Sequence, residues 1–513
     1  MMGQHEGQKE LFSYGVDLDR RVRAEHPLRR VQAMIDFTFA RAAVAHTYGE
    51  TGNVSVDPVV LLKLMFLLFH ENVRSERELV RRLPERLDWL WFLGYSLNDE
   101  EPNHSVLAQA RARWGGELFE ELFVRTVRQW VEAGLVDGSK VHLDGSLIDA
   151  DASRDSVVKA DAETIARIRA AYGAQERKLD ETKPPSARCE TNLKLVSKTD
   201  PDAPCASKGP QSGTARPRYK HPRMVDDRCG VITAVATTAG DVAEPAQVAP
   251  LLAQHENNTR HEATALVADR GYGTVETYCD LVAQGVRPHI TPMQPAGHKS
   301  EGLDTKGDFR YDESADVYFC PAGQPLTPRR FHERRQMTDS VADKKVCARC
   351  PRRAECTKSK TGRSVARHWR EQDLEVALAF ARLPEAQADR RRRRYLMEGS
   401  FAHAANHYHF KRARWRRLHR QKIQDWIIAA VHNVARLCGA TGAGVAPTQP
   451  KRPRRGAAAA SQLSYCSRAS ENGARIVGIF AHFGFFGQHS RRVTNIYAPS
   501  VVADESTLWA TGP

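Results

Sequence analysis

Patterns typical of strands and of helices alternate from Lys140 to Met293, and this alternation constrains the fold more than any other feature of the chain. Short β-rich runs occur at KVHLDGSLIDADAS, RMVDD, GVITAVATTAG, ATALVADRG and RPHITPM. The stretches PAQVAPLLAQHE and VETYCDLVAQG, which have apolar residues at helical spacing, separate the last three of these runs. Because such alternation is typical of α/β proteins, we predict an α/β domain with a mixed sheet.

Residues 1–138 have the apolar spacing of a helical domain. Their most apolar run, from Val59 to Phe69, has eleven residues and includes a lysine. A membrane-spanning helix needs about 20 residues, so this run predicts a buried core helix. The start of the chain lacks the apolar segment of a signal peptide, and ten cysteines in 513 residues do not form a disulfide scaffold. We therefore expect a cytoplasmic protein that does not contact a membrane.

Composition divides the remaining chain into four parts. Residues 139–296 hold the strand patterns, interrupted at 180–218 by a polar loop with six prolines. Residues 297–370 form a polar insertion with four cysteines, and residues 371–438 are predicted to be helical. Residues 439–513 include PTQPKRPRRGAAAAS and are predicted to be a linker and a poorly ordered tail.

The chain is basic, with 76 Lys and Arg against 62 Asp and Glu and a net charge of +14. Most of this excess is local, because twelve basic residues and one acid, Glu398, lie between Arg390 and Lys422. A concentrated positive charge favours a polyanionic partner such as nucleic acid. A basic enzyme without such a partner is the alternative.

Three carboxylates are candidates for a metal site. Asp144 lies within a predicted strand, Asp269 ends another strand before a glycine-rich turn, and Glu398 lies in the arginine-rich helix. Three carboxylates can hold two Mg²⁺ ions, which assist phosphoryl transfer. Each acid also has an ordinary explanation, as a turn residue, a cap and a salt-bridge partner respectively. Four rival acids lie close to the two predicted strands: Asp149, Asp151, Asp226 and Asp227.

From about Leu11 to Leu437 the chain resembles the DDE transposases of bacterial insertion sequences, in particular the insertion sequence 1182 group with its cysteine-rich insert. The resemblance is carried by LFSYGVDLDRRVRAEHPLRRVQAMID, VDPVVLLKLMFLLFHENVRSERELVRRL, VHLDGSLIDADAS, YKHPRMVDDRCGVITAVATTAGDVAE and ALVADRGYGTVETY. It implies an RNase H-like catalytic core, a helical N-terminal domain that binds or positions DNA, and a cysteine-rich insertion.

The resemblance also implies roles for individual residues. The catalytic acids that hold Mg²⁺ or Mn²⁺ fall on Asp144, Asp269 and Glu398. Arg394 and Glu398 fit the pattern R-x3-E of the third acid, whereas the family's Tyr and Lys positions are Arg391 and Ala405 here. The expected DNA-binding residues form a basic helical clamp at Arg391, Arg394, Lys411, Arg412, Arg414, Arg416 and Arg417.

Cys320, Cys347, Cys350 and Cys356 follow the spacing C-x26-C-x2-C-x5-C. A C-x2-C pair with two further cysteines suits a tetrahedral, structural Zn²⁺ site. Four reduced cysteines without metal are the alternative.

The function implied is a transposase that binds the terminal inverted repeats of its element, cleaves phosphodiester bonds and joins 3′ ends to target DNA. The partners implied are double-stranded DNA and a second subunit in a homodimer on DNA, within the bacterial nucleoid. Two alternatives are an RNase H-like nuclease without strand transfer and a catalytically dead DNA-binding relic of a mobile element.

Overall fold

A computed structural model describes residues 2–3, 16–159, 162–175, 195–207, 215–291 and 302–442. The first compact unit of the chain ends at Val445, and the second, from Ala446 to Pro513, lies outside the described residues. Most of the predicted tail, 443–513, therefore lies outside them as well.

The described part of the first 138 residues forms eight α-helices, and α3, α5, α6 and α7 pack against the very apolar helix α4 (Pro58–His70). Asp57 caps α4 by accepting a hydrogen bond from the Val59 amide at 2.9 Å, and Pro58 occupies its first position. All residues of α4 except His70 are buried, as predicted for a core helix. Across the described residues, every helix is too short or too polar to cross a membrane. The helices are α1 (Leu18–Arg21), α2 (Pro27–Met34), α3 (Phe39–Val44), α4 (Pro58–His70), α5 (Glu76–Arg82), α6 (Leu87–Leu93), α7 (Ser105–Trp114) and α8 (Glu117–Glu132).

A mixed sheet follows, which confirms the predicted α/β organisation. Its first long strand, β1 (Lys140–Asp149), pairs antiparallel with β5 (Arg216–Asp226) and parallel with β8 (Ala265–Val267). β5 also pairs antiparallel with β6 (Ile232–Val235), and β8 also pairs parallel with β9 (Arg287–Pro288). Helices α10 and α11 precede the two parallel neighbours, β8 and β9. The elements are β1 (Lys140–Asp149), β5 (Arg216–Asp226), β6 (Ile232–Val235), β7 (Thr238–Ala239), α10 (Val248–Thr259), β8 (Ala265–Val267), α11 (Val275–Ala283) and β9 (Arg287–Pro288).

The prediction of a loop at 180–218 is wrong in the parts of this range that the structure describes, 195–207 and 215–218. Two short strands, β3 (Leu195–Ser197) and β4 (Cys205–Ala206), lie there, and β5 already begins at Arg216. β3 pairs with β2 (Val157–Lys159), which α9 (Ala162–Gln175) follows. Tertiary contact orders this segment, because the Tyr219 hydroxyl lies 2.8 Å from both carboxylate oxygens of the buried Asp200.

The cysteine-containing region folds into its own antiparallel sheet of five strands in sequence order. Its small core contains Phe309, Tyr318, Leu326, Ala342 and Val365, although the segment is polar overall. The elements are β10 (Arg310–Asp312), β11 (Val317–Phe319), β12 (Pro325–His332), β13 (Met337–Ala342), α12 (Lys344–Ala348), α13 (Arg353–Cys356) and β14 (Ser364–His368).

Three helices complete the described chain: α14 (Glu371–Arg382), α15 (Pro384–Tyr408) and α16 (Leu418–Gly442). The prediction of a basic helix through Lys411–Arg417 is wrong, because residues 409–417 are not helical. His409 and Arg417 have left-handed backbone with φ of 56° and 78°, which ends α15 and precedes α16. The predicted boundary at 438 falls inside α16.

Helix α16 shares one hydrophobic core with the N-terminal helices. Phe69 of α4, Phe123 of α8 and Ile427 of α16 belong to the same buried cluster. The expected N-terminal domain is therefore not packed as a separate unit from α16.

Candidate active site

Asp144 and Asp269 lie at the same level of two neighbouring strands. The parallel register between β1 and β8 ends at the pair His142 and Val267. Two residues further along each strand direction are Asp144 and Asp269. The carboxyl ends of parallel strands are where ligand sites gather in α/β proteins. The structure thus brings the first two predicted acids together.

Arg393 contacts the first of these acids from α15. Its Nη1 donates to Asp144 Oδ2 at 2.8 Å, and the two side chains are 15% and 25% exposed. Burial raises the pKa of Asp144, the Arg393 charge and the Gly145 amide lower it, and the Asp269 carboxylate raises it again. Arg393 has no distinguishing signal in the sequence, because it lies within a run of five arginines.

A third carboxylate, that of Glu244, lies beside the two aspartates and was missed in the sequence. A Cβ atom placed on Gly271 would lie 2.5 Å from Glu244 Oε2 and 3.2 Å from Asp269 Oδ1. Burial raises the pKa of Glu244, Lys220 lowers it, and the Asp269 and Asp144 carboxylates raise it further. The only hint in the sequence is its position at the end of the second quoted strand segment, DVAE.

Tyr272 lies in the protein interior next to these three acids. It is fully buried, and its hydroxyl has no hydrogen-bond partner among the residues that the structure describes. A Cβ atom on Gly145 would lie 3.1 Å from that hydroxyl and 4.0 Å from Glu244 Oε1. Burial first, and then the Glu244, Asp144 and Asp269 carboxylates, raise the pKa of Tyr272, so its hydroxyl stays protonated and can donate.

Glu398, the predicted third acid, lies elsewhere. Its carboxylate accepts from Arg394 Nε at 3.2 Å, and the two side chains are 70% and 79% exposed. Five residues separate Glu398 from Arg393, which corresponds to about 140° around a helix. Arg391, Arg394 and Glu398 share an exposed helix face, while Arg393 is directed toward Asp144.

The rival acids at the end of β5 have structural contacts. Asp226 is buried and accepts from the Arg228 and Cys229 amides at 2.9 and 3.0 Å. Burial raises its pKa to about 6. Asp227 pairs with His142 at 2.7 Å and with Arg392 at 2.6 Å.

The basic residues of 411–417 are engaged within the protein. Arg412 and Arg416 pair with Asp151 at 3.6 and 3.3 Å, and Arg417 pairs with Asp202 at 2.9 Å. Arg414 donates to the Val73 carbonyl and lies over the Phe69 ring. Lys411 donates to Ser146 Oγ. Asp149, another rival acid, accepts from Arg218 Nε at 2.6 Å.

The four cysteines of the insertion line one small cavity together with Arg353 and Arg363. Cys347 and Cys350 are joined by a backbone hydrogen bond of 3.3 Å from the Cys350 amide to the Cys347 carbonyl. All four are free and partly exposed. Burial raises the pKa of Cys356, Arg363 lowers it, and Asp304, Cys320 and Cys347 raise it.

No three His, Cys, Asp or Glu side chains in the described part of the chain converge closely enough to hold a metal ion as they lie. The donor set at the sheet nevertheless suits a hard cation, because carboxylate oxygens are the ligands that Mg²⁺ prefers. The Arg393 guanidinium already supplies a positive charge to Asp144 at this position.

Two family models match the chain. The first, Transposase domain (DUF772), covers residues 16–113 and thus most of the N-terminal helices. The second, Transposase DDE domain, covers residues 319–438, from β11 to α16, and includes Glu398. These matches agree with the resemblance to DDE transposases of insertion sequences but do not identify the 1182 group. No curated protein matches the chain.

Two transposase structures align weakly with the chain. The Mos1 strand transfer complex is 10% identical over 49% of this chain, with a TM-score of 0.15. The piggyBac transposase synaptic complex with hairpin DNA is 10% identical over 88% of this chain and 91% of that one, with a TM-score of 0.23. The chain spans 63% of the Mos1 chain. Scores this low do not establish a shared fold.

Proposed function

We propose that this chain, which has the transposase domain and the transposase DDE domain of insertion-sequence DDE transposases, is a transposase that acts on the DNA ends of its own element. It binds terminal inverted repeats, cleaves phosphodiester bonds and joins the freed 3′ ends to target DNA. The meeting of Asp144 and Asp269, each two residues past the last parallel pair of β1 and β8, is the observation that carries this proposal. The mixed sheet is proposed to be an RNase H-like core.

Asp144 and Asp269 are proposed to hold Mg²⁺ or Mn²⁺. When bound, such ions activate an attacking oxygen and stabilise the leaving oxygen of a phosphodiester. Glu398 stays the third acid proposed from the resemblance, and the 70% exposure of its side chain leaves it free to move toward DNA. Arg393 holds the Asp144 carboxylate in place through its ion pair.

Double-stranded DNA is the proposed partner, and a homodimer is proposed to pair the two ends. The exposed Arg391 and Arg394 on α15 are the best-placed of the predicted phosphate contacts. Arg394 is 79% exposed although it pairs with Glu398, whereas Arg416 and Arg417 are 44% and 20% exposed and pair with Asp151 and Asp202. Contacts of this kind make affinity fall with rising salt. The proposed location is the bacterial cytoplasm, at the nucleoid.

Mutation of the proposed acids tests the function. Asp144→Asn, Asp269→Asn and Glu398→Gln should each bind DNA at least as well as the wild type, because each removes a negative charge. Each should lose Mg²⁺-dependent cleavage by orders of magnitude, because metal-assisted charge stabilisation dominates phosphoryl transfer. The assay is cleavage of labelled DNA carrying the element's ends, with binding measured in parallel.

Asp227→Asn is the matched control and should cleave normally. Full cleavage by Asp269→Asn with loss in Asp227→Asn would contradict the choice of the second acid. Joined products from the wild type distinguish a transposase from a nuclease without strand transfer. DNA binding without any cleavage would instead favour the catalytically dead relic.

We propose further that the four cysteines hold one structural Zn²⁺. Their position around a single cavity supports this, as does the C-x2-C pair at Cys347 and Cys350. Four thiolates would leave no open position for catalysis. In a sheet whose core is small, a metal would supply folding free energy.

Metal analysis of the purified protein tests the zinc site. We expect about one Zn²⁺ per chain in the wild type and a large loss in Cys347→Ser/Cys350→Ser. Cys229→Ser, outside the insertion, is the control and should keep its zinc. A wild type without zinc, or equal zinc in wild type and double variant, contradicts the proposal.

A further inference from the structure

We propose that Glu244 is a metal-facing carboxylate of the catalytic centre, alongside Asp144 and Asp269. This inference rests on the proposed function and adds a residue to its site. Glu244 can take this role without any movement of α15, whereas Glu398 could join the site only if α15 moved. A role for Glu244 is compatible with a role for Glu398.

The position of Glu244 carries the inference. It begins a 3-10 turn, Glu244–Gln247, just before α10, and its side chain is 34% exposed. One carboxylate oxygen lies near Gly145, next to Asp144, and the other near Gly271, two residues after Asp269. Glu244 therefore spans the gap between Asp144, within β1, and Asp269, just after β8.

Two glycines make this approach possible. Any side chain at Gly271 would meet Glu244 Oε2 at 2.5 Å from its Cβ atom, closer than real Cβ contacts allow. At Gly145 the Cβ atom would meet the Tyr272 hydroxyl at 3.1 Å. The absence of side chains at both positions keeps open the space that the three carboxylates face.

The Tyr272 hydroxyl gives an independent indication of a ligand. Burying a hydroxyl without a hydrogen-bond partner is unfavourable, so such groups usually have one. Here the hydroxyl points to the space near Glu244 and Gly145. A ligand oxygen bound between the carboxylates would accept its hydrogen bond.

The local charge favours a cation. Three carboxylates are balanced in part by Arg393, which pairs with Asp144, and by Lys220, whose Nζ lies 3.7 Å from Glu244 Oε1. Lys220 also donates to the Val242 carbonyl at 2.8 Å, which holds it at the edge of the group. Among the described residues these ion pairs involve Asp144 and Glu244, whereas the Asp269 carboxylate has no ion pair, so its charge is available to a metal ion.

Titration with Mn²⁺, followed by the electron paramagnetic resonance signal of the free ion, tests this role without DNA or turnover. Glu244→Gln keeps the size of the side chain and removes its charge. Loss of a residue that only supports a metal ligand weakens metal binding roughly 10–100-fold. We expect Glu244→Gln, which removes a ligand itself, to weaken Mn²⁺ binding by at least that factor. Glu276→Gln, an exposed acid on α11, is the control and should bind Mn²⁺ like the wild type.

Gly271→Ala provides a second route, because its methyl group displaces Glu244 while leaving the acid in the chain. It should weaken Mn²⁺ binding as Glu244→Gln does, with thermal unfolding showing that both variants are folded. Mn²⁺ affinity unchanged in Glu244→Gln, or no Mn²⁺ binding by the wild type, overturns the inference. Weakened binding in a protein that cleaves no DNA would uphold Glu244 as a ligand and refute the proposed function.

Discussion

Asp227 is an acid near the proposed site whose ion pairs with His142 and Arg392 stabilise the fold. It lies opposite Lys140 at the start of β1, four residues before Asp144, or about 13 Å along the strand. Burial raises its pKa, but the hydrogen bonds and charges of His142 and Arg392 prevail and lower it to about 2.

We predict that Asp227→Asn lowers the free energy of unfolding at pH 7 by up to about 2 kcal/mol. The folded pKa lies below the unfolded value of 3.8, so the contribution is complete well above pH 3.8 and disappears as the pH falls toward 2. Urea unfolding of the wild type and the variant at pH 7, 5 and 4 measures the difference. A difference that grows on acidification would contradict the assignment.

Glu244 and Glu398 show the limits of prediction for single residues. The motif R-x3-E located Glu398 on a helix, and the structure has that helix, but which of its faces meets the sheet depends on packing. Glu244 has no motif, because it reaches Asp269 only through the folding of a turn against Gly271. The sequence predicted Asp144 and Asp269 from their strand patterns and the family resemblance, but only the fold reveals the parallel register that brings them together.

At the scale of elements, α4 determines the N-terminal core. Phe66 of α4 is fully buried and contacts the Phe37 and Phe92 rings, with centroids 5.6 and 6.4 Å away. We predict that Phe66→Ala costs about 3–5 kcal/mol in unfolding free energy, because it leaves a cavity among rigid aromatic rings. Urea unfolding followed by circular dichroism measures this cost.

Leu97→Ala is the control for that substitution. Leu97 is 48% exposed, and its loss should change stability by no more than about 0.5 kcal/mol. A similar cost for both substitutions would mean that α4 is not the centre of the core.

Regular elements were predicted better than their connections. The alternating residues of β1, the β-rich runs in β5 and β8 and the apolar run of α4 identified those elements, although the start of β5 fell within the expected loop. The segment 409–417 was mistaken for helix since its ends, His409 and Arg417, adopt left-handed backbone without a glycine to signal it. Its conformation depends on distant partners such as Asp151 and Asp202, which no local pattern reveals.

At the scale of the whole molecule, Asn433 of α16 connects three regions. Its side chain bonds both backbone groups of Ile232 on β6, at 3.0 and 2.9 Å, and its carbonyl accepts from Trp130 Nε1 of α8 at 3.1 Å. We predict that Asn433→Ala costs about 2–4 kcal/mol, because it leaves two buried backbone groups of Ile232 unpaired.

The same variant tests whether these regions unfold together. Tryptophan fluorescence and circular dichroism should report one coincident transition in the wild type and the variant, shifted to lower denaturant in the latter. Separate transitions would show that the N-terminal helices unfold independently of the sheet.

The sharing of one core between α8 and α16 also has a consequence during protein synthesis. The indole hydrogen bond of Trp130 can form only after Asn433, 303 residues later in the chain, has been synthesised. At 5–20 residues per second the ribosome needs roughly 15–60 s to make that stretch. During this interval the nascent N-terminal helices expose the apolar surface that α16 will cover, so their final packing is completed only near the end of translation.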